Sequence, residues 1–314
     1  MPKSKKPQAR EPQTLIEAVR YFADIDVATQ FVARLRWPGG PMCPRCGGKD
    51  YSYLTSRRLW KCRDCKKQYS VKLGSIFEDS AIKLDKWLVS IWLIANAKNG
   101  ISSHELARAT GLTQKTAWFV LHRIRLAMQT GTFDKLSGEV EADETYIGGR
   151  GFNMHKSKKD KFGGKRGIAV NKTAVIGMRQ RDGQVIANVV PNTKRPTLQG
   201  EVRKHVEPGT SLYTDKLLSY TGLEGDYDHQ VIDHAEAYVR GRVHTNGMEN
   251  FWALLKRGLK GTYVQADADH LHRYVDEQVY RYNQREYSDA ERFLGVLASV
   301  AGRRLTWADL TGKA

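Results

Sequence analysis

Four cysteines constrain this chain more than any other feature. They form two Cys-x-x-Cys pairs, Cys43 with Cys46 and Cys62 with Cys65, separated by fifteen residues. Each pair puts two thiolates on one tight turn, and two such turns close a tetrahedron around Zn²⁺. The protein fills all four positions, so the predicted site is one structural zinc with no coordination place open for catalysis. Gly47 and Gly48 follow the first pair, where the backbone has to bend tightly. The competing reading is a redox pair, which two matched pairs disfavour. Metal spacing also argues against disulfides and for a reducing compartment. The knuckles carry Arg45, Lys61, Arg63, Lys66 and Lys67, which suit DNA contact. A ribbon that binds only another protein is the alternative.

Charge points the same way. Lys and Arg number 51 against 34 acids, a formal charge of +17. Such an excess favours a polyanion partner, DNA or RNA, over a merely solubilising basic surface. With 314 residues, 40% of them hydrophobic, the chain can bury two or three cores. No apolar run approaches the ~18 residues of a membrane span. The longest, Trp87–Ala97, is interrupted by Ser90 and Asn96 and reads as a buried helix. The basic start, Met1–Arg10, leads into no apolar stretch, so neither a secretory signal nor a membrane role is expected. The expected location is the cytoplasm, on the nucleoid when DNA-bound.

Periodicity divides the chain. Residues 1–37 read as a basic arm and N-terminal helices, and 38–74 as the zinc ribbon with strands at Tyr51–Leu54 and Gln68–Val71. Residues 75–130 read as all-helical. Within them Ser103–Ala109, a turn at Gly111 and Thr113–Met128 have the pattern of a helix-turn-helix, with Thr113 as N-cap. Gln114, Lys115 and either Trp118 or His122 would then face a DNA groove. A plain helical hairpin is the alternative. Residues 138–265 switch period. Strands are predicted at Glu139–Ile147, Thr173–Arg179 and Gln184–Val190, then a helix at Lys194–His205 and strands at Ser211–Thr214 and Gln230–Ile232. An amphipathic helix follows at Asn246–Lys260. That order is the order of a ribonuclease-H-like α/β mixed-sheet domain. Residues 266–314 read as C-terminal helices.

Three acids fall where such a fold would gather them: Asp143 in the first strand, Asp215 at the end of the fourth, Glu249 in the first turn of the last helix. Phosphodiester attack develops charge on the incoming and leaving oxygens together. Two Mg²⁺ or Mn²⁺ ions, ~3.5–4 Å apart and held by hard carboxylate oxygens, answer that need. Each acid has a plainer alternative. Glu139, Glu141 and Glu144 neighbour Asp143, and any of them could be a solvated charge. Asp215 could cap Lys216–Tyr220. Asn246 and Glu249 make a capping-box pattern, so Glu249 could merely close its helix. Asn246 or His244 could replace it as third ligand. On the same stripe Lys256 and Lys260, with Arg257, could hold a DNA backbone or form a solvated basic face. Between the first two acids, Arg150–Lys172 carries eight basic residues and one acid, a flexible basic loop expected to order on DNA.

These strings together resemble a known family. Cys43-Pro44-x-Cys46-Gly47 with Cys62-x-x-Cys65, Asp143-Glu144-Thr145-Tyr146-Ile147-Gly148-Gly149, Thr214-Asp215, His244-Thr245-Asn246-Gly247-Met248-Glu249-Asn250-Phe251-Trp252 and Lys256-Arg257-Gly258-x-x-Gly261-Thr262-Tyr263 are similar to bacterial insertion-sequence transposases of the DDE type. So are His270-Leu271-His272-Arg273-Tyr274 and Arg281-Tyr282-Asn283. The resemblance covers nearly the whole chain. It implies a ribonuclease-H-like catalytic core, binding of double-stranded DNA at element ends by the N-terminal part, end cleavage, and strand transfer into target DNA by a homo-oligomer. The first two acids match Asp143 and Asp215. The third position varies between acid and Asn, and this chain offers both Glu249 and Asn246. A non-catalytic, domesticated DNA-binding regulator and a structure-specific nuclease are the rival readings.

Overall fold

A computed structural model describes residues 10–129, 134–148, 172–232, 244–264 and 266–312. The basic arm before residue 10 and the basic loop up to residue 171 lie outside the described residues. Contacts divide the chain into two compact units, Met1–Met128 with Glu286–Ala314, and Gln129–Arg285.

The first unit opens with α1 (Leu15–Phe22), whose Thr14 and Glu17 form a reciprocal capping box, and α2 (Ile25–Arg36), capped by the Asp24 carboxylate. The ribbon follows as an antiparallel sheet β1 (Tyr51–Leu54), β2 (Leu59–Cys62) and β3 (Gln68–Tyr69). Strand β2 has no counterpart in the sequence-based assignment. It is held by rings from elsewhere in the chain: Trp60 stands 4.9 Å from Tyr53, 5.3 Å from Trp37 and 6.1 Å from Tyr69. Next come α3 (Leu84–Asn96), α4 (Ser103–Thr110) and α5 (Gln114–Met128). Gly111 takes the left-handed conformation (φ 64°) that turns α4 towards α5. The Thr113 hydroxyl accepts the Thr116 N–H at 3.2 Å, the cap expected from sequence.

The second unit is a mixed sheet in the order β6-β5-β4-β7-β8 among the described residues. Its strands are β4 (Glu139–Ile147), β5 (Thr173–Gln180), β6 (Val185–Val190), β7 (Ser211–Asp215) and β8 (Asp228–Ile232). The first three pair antiparallel; β4 with β7 and β7 with β8 pair parallel. Between β6 and β7 runs α6 (Arg195–His205), and after β8 come α7 (Asn246–Gly261) and α8 (Leu271–Asn283). This is the ribonuclease-H-like mixed sheet expected from sequence.

Strand alternation assigns the two faces. Val140, Ala142, Ile176, Met178 and Leu212 pack with Leu198 and Val202 of α6 and with Tyr220. Val175, Val185 and Ala187 pack with Met248, Phe251, Trp252 and Leu255 of α7 and Val275 of α8. Burying a side chain such as Phe251 contributes about 1.5–3 kcal/mol. The edge strand β6 is closed by a side chain: Asn283 Oδ1 accepts from the Val185 N–H (2.8 Å), and its Nδ2 donates to the Val185 carbonyl (2.9 Å).

The chain then returns to the first unit as α9 (Asp289–Ala298) and α10 (Trp307–Thr311). Phe293 of α9 meets Trp92 at 5.0 Å, Phe22 at 5.7 Å and Phe31 at 6.3 Å. The segment 266–314, expected as one piece, is thus shared between the units. Among the described residues no helix is long and apolar enough to cross a membrane.

Candidate active site and metal centre

Strand β4 lies beside parallel β7 with Glu139 opposite Ser211 and Glu141 opposite Tyr213. Further along the same two strands lie Asp143 and, at the end of β7, Asp215, near enough for Asp215 to raise the Asp143 carboxyl. Glu249 lies in the first turn of α7 and is near enough to bear on Asp143 electrostatically. Acids distant in sequence therefore bear on one another through Asp143.

What brings α7 so close is Gly177, the β5 residue paired with Asp143. A Cβ there would lie 2.2 Å from Met248 Cε and 2.7–2.8 Å from the Trp252 ring. With only hydrogen at this position the indole reaches the sheet, and Trp252 Nε1 donates to Asp143 Oδ2 at 2.9 Å. The other oxygen, Oδ1, accepts the Glu144 N–H at 2.8 Å. Both oxygens of Asp143 are thereby oriented. Burial, then the neighbouring Asp215, push its carboxyl from 3.8 up to about 6, against the pull of those two donors. Asp215 Oδ1 accepts the Leu217 N–H at 3.1 Å, a bond within the turn after β7; it does not cap a helix over Lys216–Tyr220 as its plainer reading had it, because the helical turn that forms is Leu218–Tyr220, with Leu217 as N-cap and no side chain capping it.

On the opposite face, Glu144 accepts a hydrogen bond from the buried Tyr220 hydroxyl at 3.0 Å. Burial first, then Asp215 and Asp143, push the Glu144 carboxyl up to about 7. Lys256 stands within the field of Asp143, and burial lowers its ammonium below the usual lysine range. Arg257 and Lys260 are exposed on α7.

The capping-box alternative for Glu249 is not what forms. Thr245 is the N-cap, and no side chain of that kind closes the helix. Closure comes from the sheet: the Met248 N–H donates to Glu141 Oε2 at 3.0 Å. Sequence reading treated Glu141 as one candidate for a solvated charge, yet it is fully buried. Its place two residues before Asp143, between Val140 and Ala142, was the available signal. Trp252 was legible too, three residues after Glu249 and so on the same helical face.

Hard carboxylates converging beside a lysine suit Mg²⁺ or Mn²⁺ in donor chemistry. As the side chains stand, the four cysteines are the set of three or more ligand atoms gathered for an ion among the described residues. Their sulfurs all lie within 4.8 Å of one another, with Cys43–Cys65 at 3.7 Å and Cys46–Cys62 at 3.6 Å. Four thiolates ~2.3 Å from a tetrahedral zinc stand about 3.8 Å apart, so the set fits that ion. Gly48 is needed at the knuckle, since a Cβ would meet Cys62 Sγ at 3.3 Å and Asp64 Oδ2 at 2.0 Å. Arg45, Lys61 and Arg63 are exposed around it.

In the helix-turn-helix, Gln114 and Lys115 are exposed; Gln114 donates to Ser103 Oγ at 2.8 Å, and Lys115 lies over the Trp307 ring at 4.7 Å. Trp118 is half-buried against Trp307. His122 does not face outward as one alternative had it: it is fully buried, with Trp118 4.4 Å away.

Residues 135–283 match the ISXO2-like transposase domain, and residues 26–68 the transposase zinc-ribbon domain. The chain is 25% identical over 256 residues to a protein in transposable element ISH50 of Halobacterium salinarum, covering 77% of this chain and 85% of that one. It is 32% identical over 104 residues to a transposase-like protein of Haemophilus influenzae, covering 33% of this chain and 84% of that one.

Proposed function

Since the chain belongs to the ISXO2-like transposase family, we propose that it binds the double-stranded ends of an insertion sequence, cleaves them, and transfers the freed 3′ ends to target DNA. The observation that supports this reading is that Asp215, at the end of the parallel strand beside β4, and Glu249, in the first turn of α7, both lie near enough to Asp143 to raise its carboxyl. These carboxylates would hold two Mg²⁺ or Mn²⁺ ions, with Asn246, one turn earlier on α7, as the alternative third ligand. Bound there, the ions would supply charge compensation at the attacking and leaving oxygens and a nucleophile at neutral pH. The protein's own share is positional. Trp252 aims one oxygen of Asp143 and the Glu144 backbone aims the other. Lys256, Arg257 and Lys260 hold the phosphate backbone beside the scissile bond. Arg45, Lys61 and Arg63 on the zinc ribbon, with Gln114 and Lys115 on α5, contact the element ends. Two copies on paired ends would form the working assembly.

The test uses the zinc-loaded chain and DNA carrying the cognate ends. Asp143→Ala and Asp215→Ala should retain end binding and lose Mg²⁺-dependent cleavage, and undiminished cleavage by either variant overturns the assignment. Glu249→Gln against Asn246→Ala identifies the third ligand. Cutting without joining would leave a structure-specific nuclease, and binding without cutting a regulator.

A further inference from the structure

Helix α7 brings the third acid to the site, and its first turn is fastened by a residue from another element. A helix normally satisfies its N2 or N3 amide with its own N-cap side chain. Here the N3 amide, Met248 N–H, is bound by Glu141 of β4 at 3.0 Å. The other carboxylate oxygen of Glu141 faces Arg181 Nε at 3.2 Å, His244 Nδ1 at 3.4 Å and Arg179 Nη1 at 3.5 Å. Both arginines are fixed in turn. Arg179 Nε donates to the Tyr282 hydroxyl at 2.9 Å, and Arg181 donates to the His244 carbonyl at 3.2 Å and pairs with Glu139 at 3.4 Å. A buried carboxylate is costly unless paired and hydrogen-bonded, and a negative charge at a helix N-terminus is favoured. Contact is tight: a Cβ on Gly247 would stand 2.6 Å from Glu141 Oε2 and 2.2 Å from Arg179 Nη1. Glu141 and Asp143 share one face of one strand.

We propose that Glu141 is a positioning residue, which clamps the first turn of α7 to β4 and so sets the reach from Asp143 to Glu249. The proposal rests on the active-site reading above. Strand β4 thereby supplies both the first acid and the fixture that places the helix turn carrying the third.

Two variants separate charge from reach. Glu141→Gln keeps an oxygen for the Met248 N–H and drops the charge facing the arginines. Glu141→Asp keeps the charge and withdraws it by one methylene. The readouts are amide exchange at Met248 and binding of Tb³⁺, whose luminescence Trp252 would sensitise beside Asp143. In the wild-type chain the Met248 amide should be protected. Glu141→Asp should lose that protection, Glu141→Gln should keep part of it through its remaining oxygen, and both should bind Tb³⁺ about tenfold or more weakly, in the range seen when groups that orient metal ligands are removed. End binding through the zinc-bearing unit should be unchanged. Wild-type Tb³⁺ affinity in both variants overturns the proposal. So does open-chain exchange at Met248 in the wild-type protein, a measurement that decides the matter even if neither variant folds. Asp143→Asn is the reference: if it binds Tb³⁺ and cleaves normally, the active-site reading fails by itself. If it is inactive while the Glu141 variants match wild type, the clamp alone fails.

Discussion

One added methyl group, Gly177→Ala, should separate DNA binding from DNA cutting. In a strand, alanine is normally the better residue, because glycine loses more conformational freedom on folding. At this position space reverses the sign. The new Cβ would stand 2.2 Å from Met248 Cε and 2.7 and 2.8 Å from the Trp252 ring edge. The methionine tip can swing away. The indole cannot easily follow, being buried in the α7 core and bonded to Asp143 through Nε1. To regain an ordinary contact of 3.4 Å the ring must retreat by more than half an ångström. Trp252 lies within a turn of Glu249, so the retreat moves the third acid away from Asp143. Overpacking of this kind costs ~1–3 kcal/mol, which lowers the melting temperature of a unit this size by roughly 2–4 °C per kcal/mol. A misplacement of about 1 Å at reacting groups costs on the order of 10² in rate. Gel-shift binding to cognate ends, a Mg²⁺-dependent cleavage time course and thermal melting of the zinc-loaded chain would measure all three. Binding should be unchanged, melting a few degrees lower, cleavage down about a hundredfold. A folded Gly177→Ala chain that cuts at the wild-type rate would refute the reasoning.

Other outcomes follow from the same geometry. The Asp143 and Glu144 carboxyls are raised, chiefly by burial, to about 6 and about 7. Their contribution to stability is therefore present at pH 4 and lost as pH rises through 6 to 7. In magnesium-free buffer with zinc retained, Asp143→Asn should lose less stability than wild type between pH 4 and pH 8, by at most about 3 kcal/mol and less where water reaches the side chain. An equal or greater loss would contradict the burial argument. For the same reason the Mg²⁺ concentration giving half-maximal cleavage should fall between pH 6 and pH 8, as protons stop competing for the acids. Cys62→Ser should release the zinc, measured by metal analysis, and abolish end binding while the melting transition of residues 129–285 persists.

The catalytic sheet was legible because its strands are bounded by local signals. Val185–Val190 follows a turn at Asp182-Gly183, where Asp182 does adopt positive φ (55°), and Glu139–Asp143 alternates polar with apolar residues. Strand β2 was not legible. Its four residues include a zinc ligand and owe their conformation to rings at Trp37 and Tyr69, which no local window contains. The acids could be named from the order of elements, but their supports could not. Glu141 looks like one acid among several until Arg179 and Arg181, nearly forty residues on, fold back against it. The reading of Glu249 as half of a capping box failed because the helix starts one residue earlier than the pattern implies: Thr245 is the N-cap and the Glu249 N–H donates to the Thr245 carbonyl at 3.0 Å. His122 sits at a spacing that serves a groove or a core equally well, and the packing around Trp118 put it in the core.

Phe293 has a bearing on how the protein is made. The rings it meets, Phe22, Phe31 and Trp92, leave the ribosome more than two hundred residues ahead of it. Until the closing stretch of translation is complete, those aromatic surfaces have no partner in α9. A nascent or prematurely stopped polypeptide should then present an unfinished N-terminal unit to chaperones and proteases, and compete poorly for the element's ends. On the proposed reading, truncated copies would then bind the ends more weakly than the full chain does.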